Sequence, residues 1–331
     1  MLNKKLNLSI SIFGEDIKKE ATRDGFGSGL IKAGEQNKDV VALSADLGES
    51  MRLKEFSEKF PERFFEAGVA EQAMITVASG LANYGKIPFA TTYACFSPAR
   101  NWEQIRTTIA INNFPVKIVG GHAGVNTGQD GVTHQSLEDI ALMRVLPNMT
   151  VICPSDSLET QKAVLKSLDV NGPVYIRVQK YPTSVYTTVD TPFEIGKANV
   201  IWESRDPQVA IIGCGPIVYE ALLAAKELDN MGIETQVINM HTVKPIDEEA
   251  ILNAARISGA IVTVEDHQKA GGLGSAVSEV VAQRHPVPIE FVGVKDSFGE
   301  SGTPDELLTK YGLKAKNIIE AVKKVIIRKS Y

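Results

Sequence analysis

Along the first half of the chain, short unbroken apolar runs alternate with longer stretches whose apolar positions recur every three or four residues. The runs Val40–Ser44 (VVALS), Val116–Gly120 (VKIVG), Thr150–Pro154 (TVICP) and Val174–Val178 (VYIRV) predict strands. They are rich in β-branched residues and do not alternate with polar ones, so they predict burial on both faces. The stretches Gly25–Gln36, Glu71–Tyr84, Pro98–Ile111, Ser136–Arg144 and Ser157–Leu168 predict helices. A strand-like start at Phe64–Ala67 reaches Gly68 just before the second of them. Strand followed by helix, repeated, predicts a parallel sheet with helices on both sides.

The segment QKYPTSVYTTVDTPFEIGKA breaks this rhythm with Pro182 and Pro192, and it predicts a domain boundary. The rhythm then returns. Val209–Gly215, Thr235–Met240, Ala260–Asp266 and Ile289–Val294 predict strands. Ile217–Met231, Asp247–Ser258, Leu273–Gln283, Pro304–Tyr311 and Asn317–Ile327 predict helices. The expected organisation is an arm over residues 1–20, an α/β domain over 21–188 and a second, smaller α/β domain over 189–331.

The 331 residues leave room for two domains, and a hydrophobic fraction of 44% gives each a core. A net charge of -5 speaks against a nucleic-acid partner, which wants clustered Lys and Arg. No apolar run is long enough to span a bilayer. Glu15, Asp16 and the lack of a small-residue cleavage site argue against a secretory leader, so a cytoplasmic location is expected. Cys95, Cys153 and Cys214 stand apart with no metal-type spacing and read as reduced core thiols.

Three glycine-rich turns look like phosphate cradles: GFGSGL (Gly25–Leu30), GCGP (Gly213–Pro216) and GGLGSA (Gly271–Ala276). None completes the dinucleotide fingerprint with its following acid, so close packing of backbone is the better reading. GGHAGVNTGQDGVTHQSLED (Gly120–Asp139) is different. It gathers His122, Asp130 and His134 in one loop at the carboxyl end of a predicted parallel strand, where open α/β sheets place ligands. Tyr93 and Phe96 precede a predicted helix, either as core aromatics or as a wall for a flat ligand. Glu71 opens another helix among small and apolar residues, with Gln72 its only polar neighbour.

In the order ATRDGFGSGL, LSADLGES, FFEAGVAEQAM, PFATTYACF, GHAGVNTGQDGVTHQSLED, LPNMTVICPSD and GPVYIRV, the chain resembles the C-terminal half of a transketolase. The resemblance starts near Ala21 and covers the family's pyrimidine-binding and C-terminal domains. GVAEQAM together with DGVTHQSLED makes it specific. The chain is also similar to 1-deoxyxylulose-5-phosphate synthase through DGVTHQ, and less so to the pyruvate dehydrogenase beta subunit around the Glu71-Gln72 pair. A complete transketolase has an N-terminal domain whose GDG motif holds magnesium and the cofactor's diphosphate. Here the nearest triplets are RDG and QDG. The resemblance therefore implies a fragment or one subunit of a split enzyme, and the initiating methionine and arm favour the subunit.

The resemblance implies thiamine diphosphate as cofactor, with Mg2+ held mainly by an N-terminal partner subunit. Glu71 would hydrogen-bond a ring nitrogen of the aminopyrimidine and favour its imino form. An acid in an apolar setting resists ionising and can share a proton there; a neutral acid pair or a buried salt bridge are the alternatives. Phe96 would stack on the pyrimidine, with Tyr93 lining the same pocket. The family's third aromatic falls on Ala99, which shortens that wall. Asp46 would lie near the thiazolium and the subunit interface. Arg23, Ser50 and Arg177 would clamp a sugar phosphate. His122, Asp130 and His134 would meet sugar hydroxyls and the reacting carbonyl, His134 moving a proton at the carbonyl oxygen. His241 and His267 read as structural.

These features imply the C-terminal subunit of a transketolase that moves a two-carbon ketol unit from a ketose phosphate to an aldose phosphate, as in pentose phosphate metabolism. Two partner subunits and a self-associated pair of this chain would make a heterotetramer. A deoxyxylulose-phosphate synthase-like transferase, another ketose-specific transferase, or a catalytically silent scaffold subunit remain as alternatives.

Overall fold

The computed structural model describes residues 1–329. Its strands in chain order are β1 (Lys19–Glu20), β2 (Val40–Ser44), β3 (Phe64–Glu66), β4 (Ile87–Tyr93), β5 (Lys117–Gly121), β6 (Thr150–Ile152), β7 (Val174–Arg177), β8 (Thr183–Ser184), β9 (Asn199–Trp202), β10 (Val209–Gly213), β11 (Thr235–Asn239), β12 (Thr242–Lys244), β13 (Ile261–Gln268) and β14 (Ile289–Val294). One sheet has the order β12-β6-β7-β5-β4-β2-β3 and the other β14-β13-β10-β11-β9, with β1 and β8 as a short separate pair. Strands β2 to β7 of the first sheet pair in parallel. The second is parallel apart from β9 at its edge. The fold is thus two α/β units with helices packed on mostly parallel sheets.

Hydropathy along the chain does not predict strand β4, yet it lies inside the first sheet between β5 and β2. Pro88, Thr91 and Thr92 interrupt its apolar run. They are buried all the same, because burial on a two-sided sheet follows position in the layer and not hydropathy alone. The helix expected from Pro98 begins only at Trp102, since residues 94–101 fold into consecutive turns. It then widens into a π-helical stretch at Ile105–Ala110. The helix expected from Ser136 starts at Asp139.

Glycine accounts for close packing where the Gly-rich turns suggested a cradle. A Cβ on Gly25 would come within 2.0 Å of the Ser157 carbonyl oxygen, so helix Thr22–Gln36 lies directly against helix Ser157–Ser167. The arm is packed rather than projecting. Leu6, Ile12 and Ile17 are buried in the core of the second unit, and the Asn3 N–H donates to the Ile201 carbonyl at 3.1 Å. His241 and His267 are fully buried. His241 stacks on Phe193 at 4.3 Å, and burial lowers both imidazoles to a pKa of about 4, so both are neutral structural residues.

The two units are knit together. β12 comes from the second half of the chain but pairs antiparallel with β6 of the first sheet. Beside it, Arg177 at the end of β7 donates from Nε to Asp139 Oδ2 at 2.8 Å and from Nη2 to the Asp266 carbonyl at 2.8 Å. Tyr175 donates its hydroxyl to the same Asp139 oxygen at 2.7 Å. Burial pulls the Arg177 proton affinity down, but Asp139 and Asp266 more than offset this and raise it overall. Removing one partner of such a pair strands the other charge in a dry interior, at a cost of about 3–5 kcal/mol. Arg177→Met is therefore expected to lower the unfolding free energy by that order in a urea titration. A loss within about 0.5 kcal/mol, the range of ordinary surface substitutions, would mean that water reaches this cluster.

Candidate active site

The carboxyl ends of β2, β4, β5 and β7 point to one rim of the first sheet, and the chain leaves each of them carrying chemistry. β2 leads to Asp46, β4 to Tyr93 and Phe96, β5 to His122, and β7 to Lys180. Tyr93 is the hub of this cluster. Its ring stacks on His122 at 3.7 Å and lies 5.9 Å from both Phe96 and His134, while Phe96 and His134 meet edge-to-face at 5.6 Å. The loop motif and the aromatic pair thus meet in space, as their placement at strand ends implies.

His122 takes a positive φ of 53°, in the left-handed region, as the chain turns off the end of β5. The ring is fully buried, yet neither Nδ1 nor Nε2 has a hydrogen-bond partner. Burial first, then the cations Arg23 and Lys180 and the neighbouring His134, lower its pKa to about 3. His122 is therefore neutral at pH 7 and offers one donor and one acceptor to whatever binds. Buried polar groups are almost always satisfied, so two orphaned ring nitrogens leave this imidazole with unused hydrogen-bonding capacity. His134 is half-buried and shares a hydrogen bond of 2.9 Å with Thr133 Oγ1 through Nδ1.

Glu71 is the first residue of helix Glu71–Asn83 and is almost fully buried. Its setting is not the apolar one expected from the sequence. Arg100 Nη1 lies 2.9 Å from both carboxylate oxygens, and Asn101 Nδ2 donates to the Glu71 carbonyl at 3.0 Å. The reason is geometric: the turns after β4 carry residues 94–101 back across the start of this helix, which periodicity could not reveal. The same guanidinium lies over the Phe96 ring, 4.7 Å from its centroid.

On the far side of Tyr93 lies a polar cluster. Ser50 Oγ and the Tyr93 hydroxyl share a hydrogen bond of 2.8 Å, and Arg23 Nη1 lies 3.4 Å from the same Ser50 oxygen. Lys180 Nζ pairs with Asp130 at 2.7 Å. Burial and the nearby Arg52 lower the Arg23 pKa, while its Nε is buried without a partner. Arg177 does not join them. It is the buried interdomain cation described above, and its guanidinium is committed to Asp139, Asp266 and the Ser136 carbonyl. Lys180, three residues further on, is the cation that stands beside Arg23 at this rim. No sequence signal singles it out, because a lone Lys in a Pro-containing linker reads as surface charge.

Asp46 is exposed and adopts a positive φ of 60°. Its backbone N–H donates to Glu66 Oε1 at 2.7 Å, and the Gly68 N–H donates to the same oxygen at 2.9 Å. It sits at the outer lip, apart from the aromatic cluster. Among the described residues, the second unit supplies no side chain to the cluster but braces it. Asp266 Oδ1 accepts from the Val125 N–H at 3.0 Å, and Oδ2 accepts from Gln179 at 2.9 Å. Gln135 donates to the Glu300 carbonyl at 2.9 Å. The segment VEDHQKAGGLGSAV, which carries no legible role in sequence, thus holds the His122–His134 loop from behind.

The residues fit the pyrimidine end of thiamine diphosphate. A buried carboxylate stands beside an aromatic face, and a neutral, unpartnered imidazole lies further along the same rim.

Comparison with known proteins identifies the family. Residues 18–183 match the family described as Transketolase, pyrimidine binding domain, and residues 196–318 match Transketolase, C-terminal domain. The chain is 42% identical over 309 residues to a 6-deoxy-6-sulfo-D-fructose transketolase subunit from Clostridium sp., covering 93% of this chain and 95% of that one. It is 38% identical over 309 residues to an apulose-4-phosphate transketolase subunit from Phocaeicola vulgatus, covering 92% and 98%. It also spans about half the length of longer relatives that it matches. A solved structure described as a split gene transketolase, inactive beta4 tetramer, superposes with a TM-score of 0.87 at 44% identity, covering 93% of this chain and 99% of that one. The chain belongs to the thiamine-diphosphate-dependent transketolase family and is a homologue of the C-terminal subunits of its split members.

Proposed function

We propose that this chain is the C-terminal subunit of a split transketolase, moving a two-carbon ketol unit from a ketose phosphate to an aldose phosphate. The observation that carries the reading is a continuous line of side chains along one rim. It runs from Glu71 and Phe96, through Tyr93, His122 and His134, to Ser50, Arg23 and Lys180. One end suits a protonated or polarised heterocycle and the other an anion, with hydroxyl-binding groups between them.

Thiamine diphosphate, when bound, supplies the nucleophilic carbon and the electron sink for breaking and making the carbon–carbon bond. Glu71 holds the pyrimidine ring and its proton. Phe96 and Tyr93 keep that ring flat and dry. His134 holds or gives a proton at the substrate carbonyl oxygen. His122, neutral, hydrogen-bonds the sugar without adding charge. Asp130, held by Lys180, meets a hydroxyl and sets stereochemical preference. Arg23, Ser50 and Lys180 take the anionic end. Arg23 and Lys180 would suit a sulfonate as well as a phosphate, and the name of the sulfofructose relative supports a sulfosugar as second reading. Asp46 would lie near the thiazolium and the interface between chains.

Magnesium and the diphosphate belong, in this reading, to an N-terminal partner subunit with a GDG motif, in the cytoplasm. Among the described residues, no helix is long and apolar enough to cross a membrane. The helix that starts with Glu71 supports assembly. Its exposed positions Ala73, Val77, Gly80 and Tyr84 follow a four-three-four spacing, and exposed Phe65 and Val69 lead into it. Monomers rarely leave such a face bare, so we assign it to contact with another chain. The relative described as an inactive beta4 tetramer supports self-association when the partner is missing.

The isolated chain is expected to give no ketol transfer and to bind thiamine diphosphate weakly in calorimetry with Mg2+, both recovering on mixing with the GDG-bearing chain. Tight, magnesium-dependent binding and turnover by the chain alone would sink the split-subunit reading. In the reconstituted complex, Glu71→Gln is expected to abolish turnover and slow proton exchange at the thiazolium carbon while leaving the circular dichroism of the fold unchanged. Undiminished exchange would remove Glu71 from its role. Lys180→Ala deletes one charge-assisted contact, worth about 1.5–3 kcal/mol. It should raise KM roughly tenfold to a hundredfold for phosphorylated sugars and little for their unphosphorylated forms. Equal changes for both would mean that Lys180 does not see the anion.

A further inference from the structure

The two groups read above as the pyrimidine's partners already have an occupant from the chain itself. The Arg100 guanidinium bridges both oxygens of Glu71 at 2.9 Å and lies 4.7 Å above the Phe96 centroid. A guanidinium is a planar, delocalised group with N–H donors at its edge and a face that stacks on aromatic rings. An aminopyrimidine engages a carboxylate and an aromatic face in the same way: an edge for the one, a flat face for the other. Two such planar groups cannot share a single Phe face and a single carboxylate.

We propose that Arg100 is a resident stand-in for the aminopyrimidine, filling the Glu71–Phe96 site in the cofactor-free chain and swinging out when the ring enters. This rests on the reading of Glu71 and Phe96 as the pyrimidine site. Its structural grounds are independent of that reading. Glu71 is 4% exposed and, without Arg100, would be a buried carboxylate with no counter-charge, a costly state for an empty site. The Arg100 side chain is 49% exposed, so its own departure into water is cheap. Its backbone stays anchored, with its N–H donating to the Phe96 carbonyl at 3.1 Å and its carbonyl accepting from Gln72 at 3.5 Å. The side chain can therefore leave without the turn unfolding. Ala99, exposed, stands where the family pattern has a third aromatic, so no ring at that position closes over the guanidinium. The exchange replaces a charged contact at Glu71 by a hydrogen bond to a ring nitrogen. A competitor tethered in the site lowers the apparent affinity of the entering ring by the fraction of time it is absent.

The test uses the isolated chain and the ring alone, 4-amino-2,5-dimethylpyrimidine, followed by saturation-transfer NMR and titration. Arg100→Ala is expected to bind the ring on the order of tenfold more tightly than the wild type. Arg100→Gln, planar but uncharged, should fall between them and serves if the Ala variant does not fold. Added guanidinium ion at low millimolar concentration should refill the vacated place and compete with the ring in Arg100→Ala but not in the wild type. Equal or weaker ring binding by both variants, with binding still lost in Glu71→Ala, would overturn the stand-in and leave the pyrimidine site standing. Ring binding indifferent to Glu71 in every background would overturn the site assignment and this inference with it.

Discussion

A guanidinium buried between two domains sets the terms for the rest of this structure. Arg177 ends a strand of the first sheet, but its hydrogen bonds go to Asp139, at the start of the earlier helix Asp139–Arg144, and to the main chain at Asp266 of the second unit. Between strand β5 and that helix runs the loop with His122, Asp130 and His134. The loop has glycines at positive φ, at Gly124, Gly128 and Gly131, and short 3-10 turns over Val125–Asp130 that are kinked at Gly128. Its shape is imposed largely from outside, by Asp266 receiving the Val125 N–H and by Gln135 reaching the Glu300 carbonyl. These contacts add to those the first unit makes itself, where Gly121 pairs with Tyr93 and the Ala123 N–H donates to the Val178 carbonyl. The C-terminal unit therefore matters to the chemistry without touching it.

The alternation of strand and helix was legible because apolar runs on two-sided parallel strands are continuous, and most of those runs are strands here. β4 escaped because two threonines and a proline sit inside the layer, and hydropathy cannot tell a buried Thr from an exposed one. β12 escaped for a different reason: three residues gain strand character only by pairing with β6 of the other half, which is tertiary information. At the site, strand-end placement gathered His122, Asp130 and His134 into one loop, while the grouping of Tyr93 and Phe96 with them came only from the family resemblance. The two adjustments concern cations. Arg177 and Lys180 are three apart in sequence, yet one is sealed in the interface and the other stands at the rim. Nothing in the local sequence distinguishes them, since the difference lies in what the second unit presses against. Arg100 was hidden likewise, because turns without periodicity carried it back to Glu71.

Charge is unevenly managed along this rim, and the unevenness has a logic. His122 is kept neutral by burial beside cations, so it can hydrogen-bond without attracting or repelling an anionic sugar. Arg23 and Lys180 sit where an anion is expected, with Asp130 answering Lys180 while none is present. Glu71, at the other end, is answered by Arg100. Glu71 and Lys180 thus each have a partner within the chain, Arg100 and Asp130, and both of those partners are partly exposed.

That arrangement bears on how such a chain can be stable before assembly. An open pocket with a buried carboxylate at one end and paired cations at the other would be destabilising, since unpaired buried charge costs several kcal/mol per ion. Pairing Glu71 with Arg100 and Lys180 with Asp130 removes that penalty. Helix Glu71–Asn83 carries Glu71, held by Arg100, at its first residue and the exposed positions Ala73, Val77 and Gly80 along its length, so a chain docking on that face would bear on the element that positions the carboxylate.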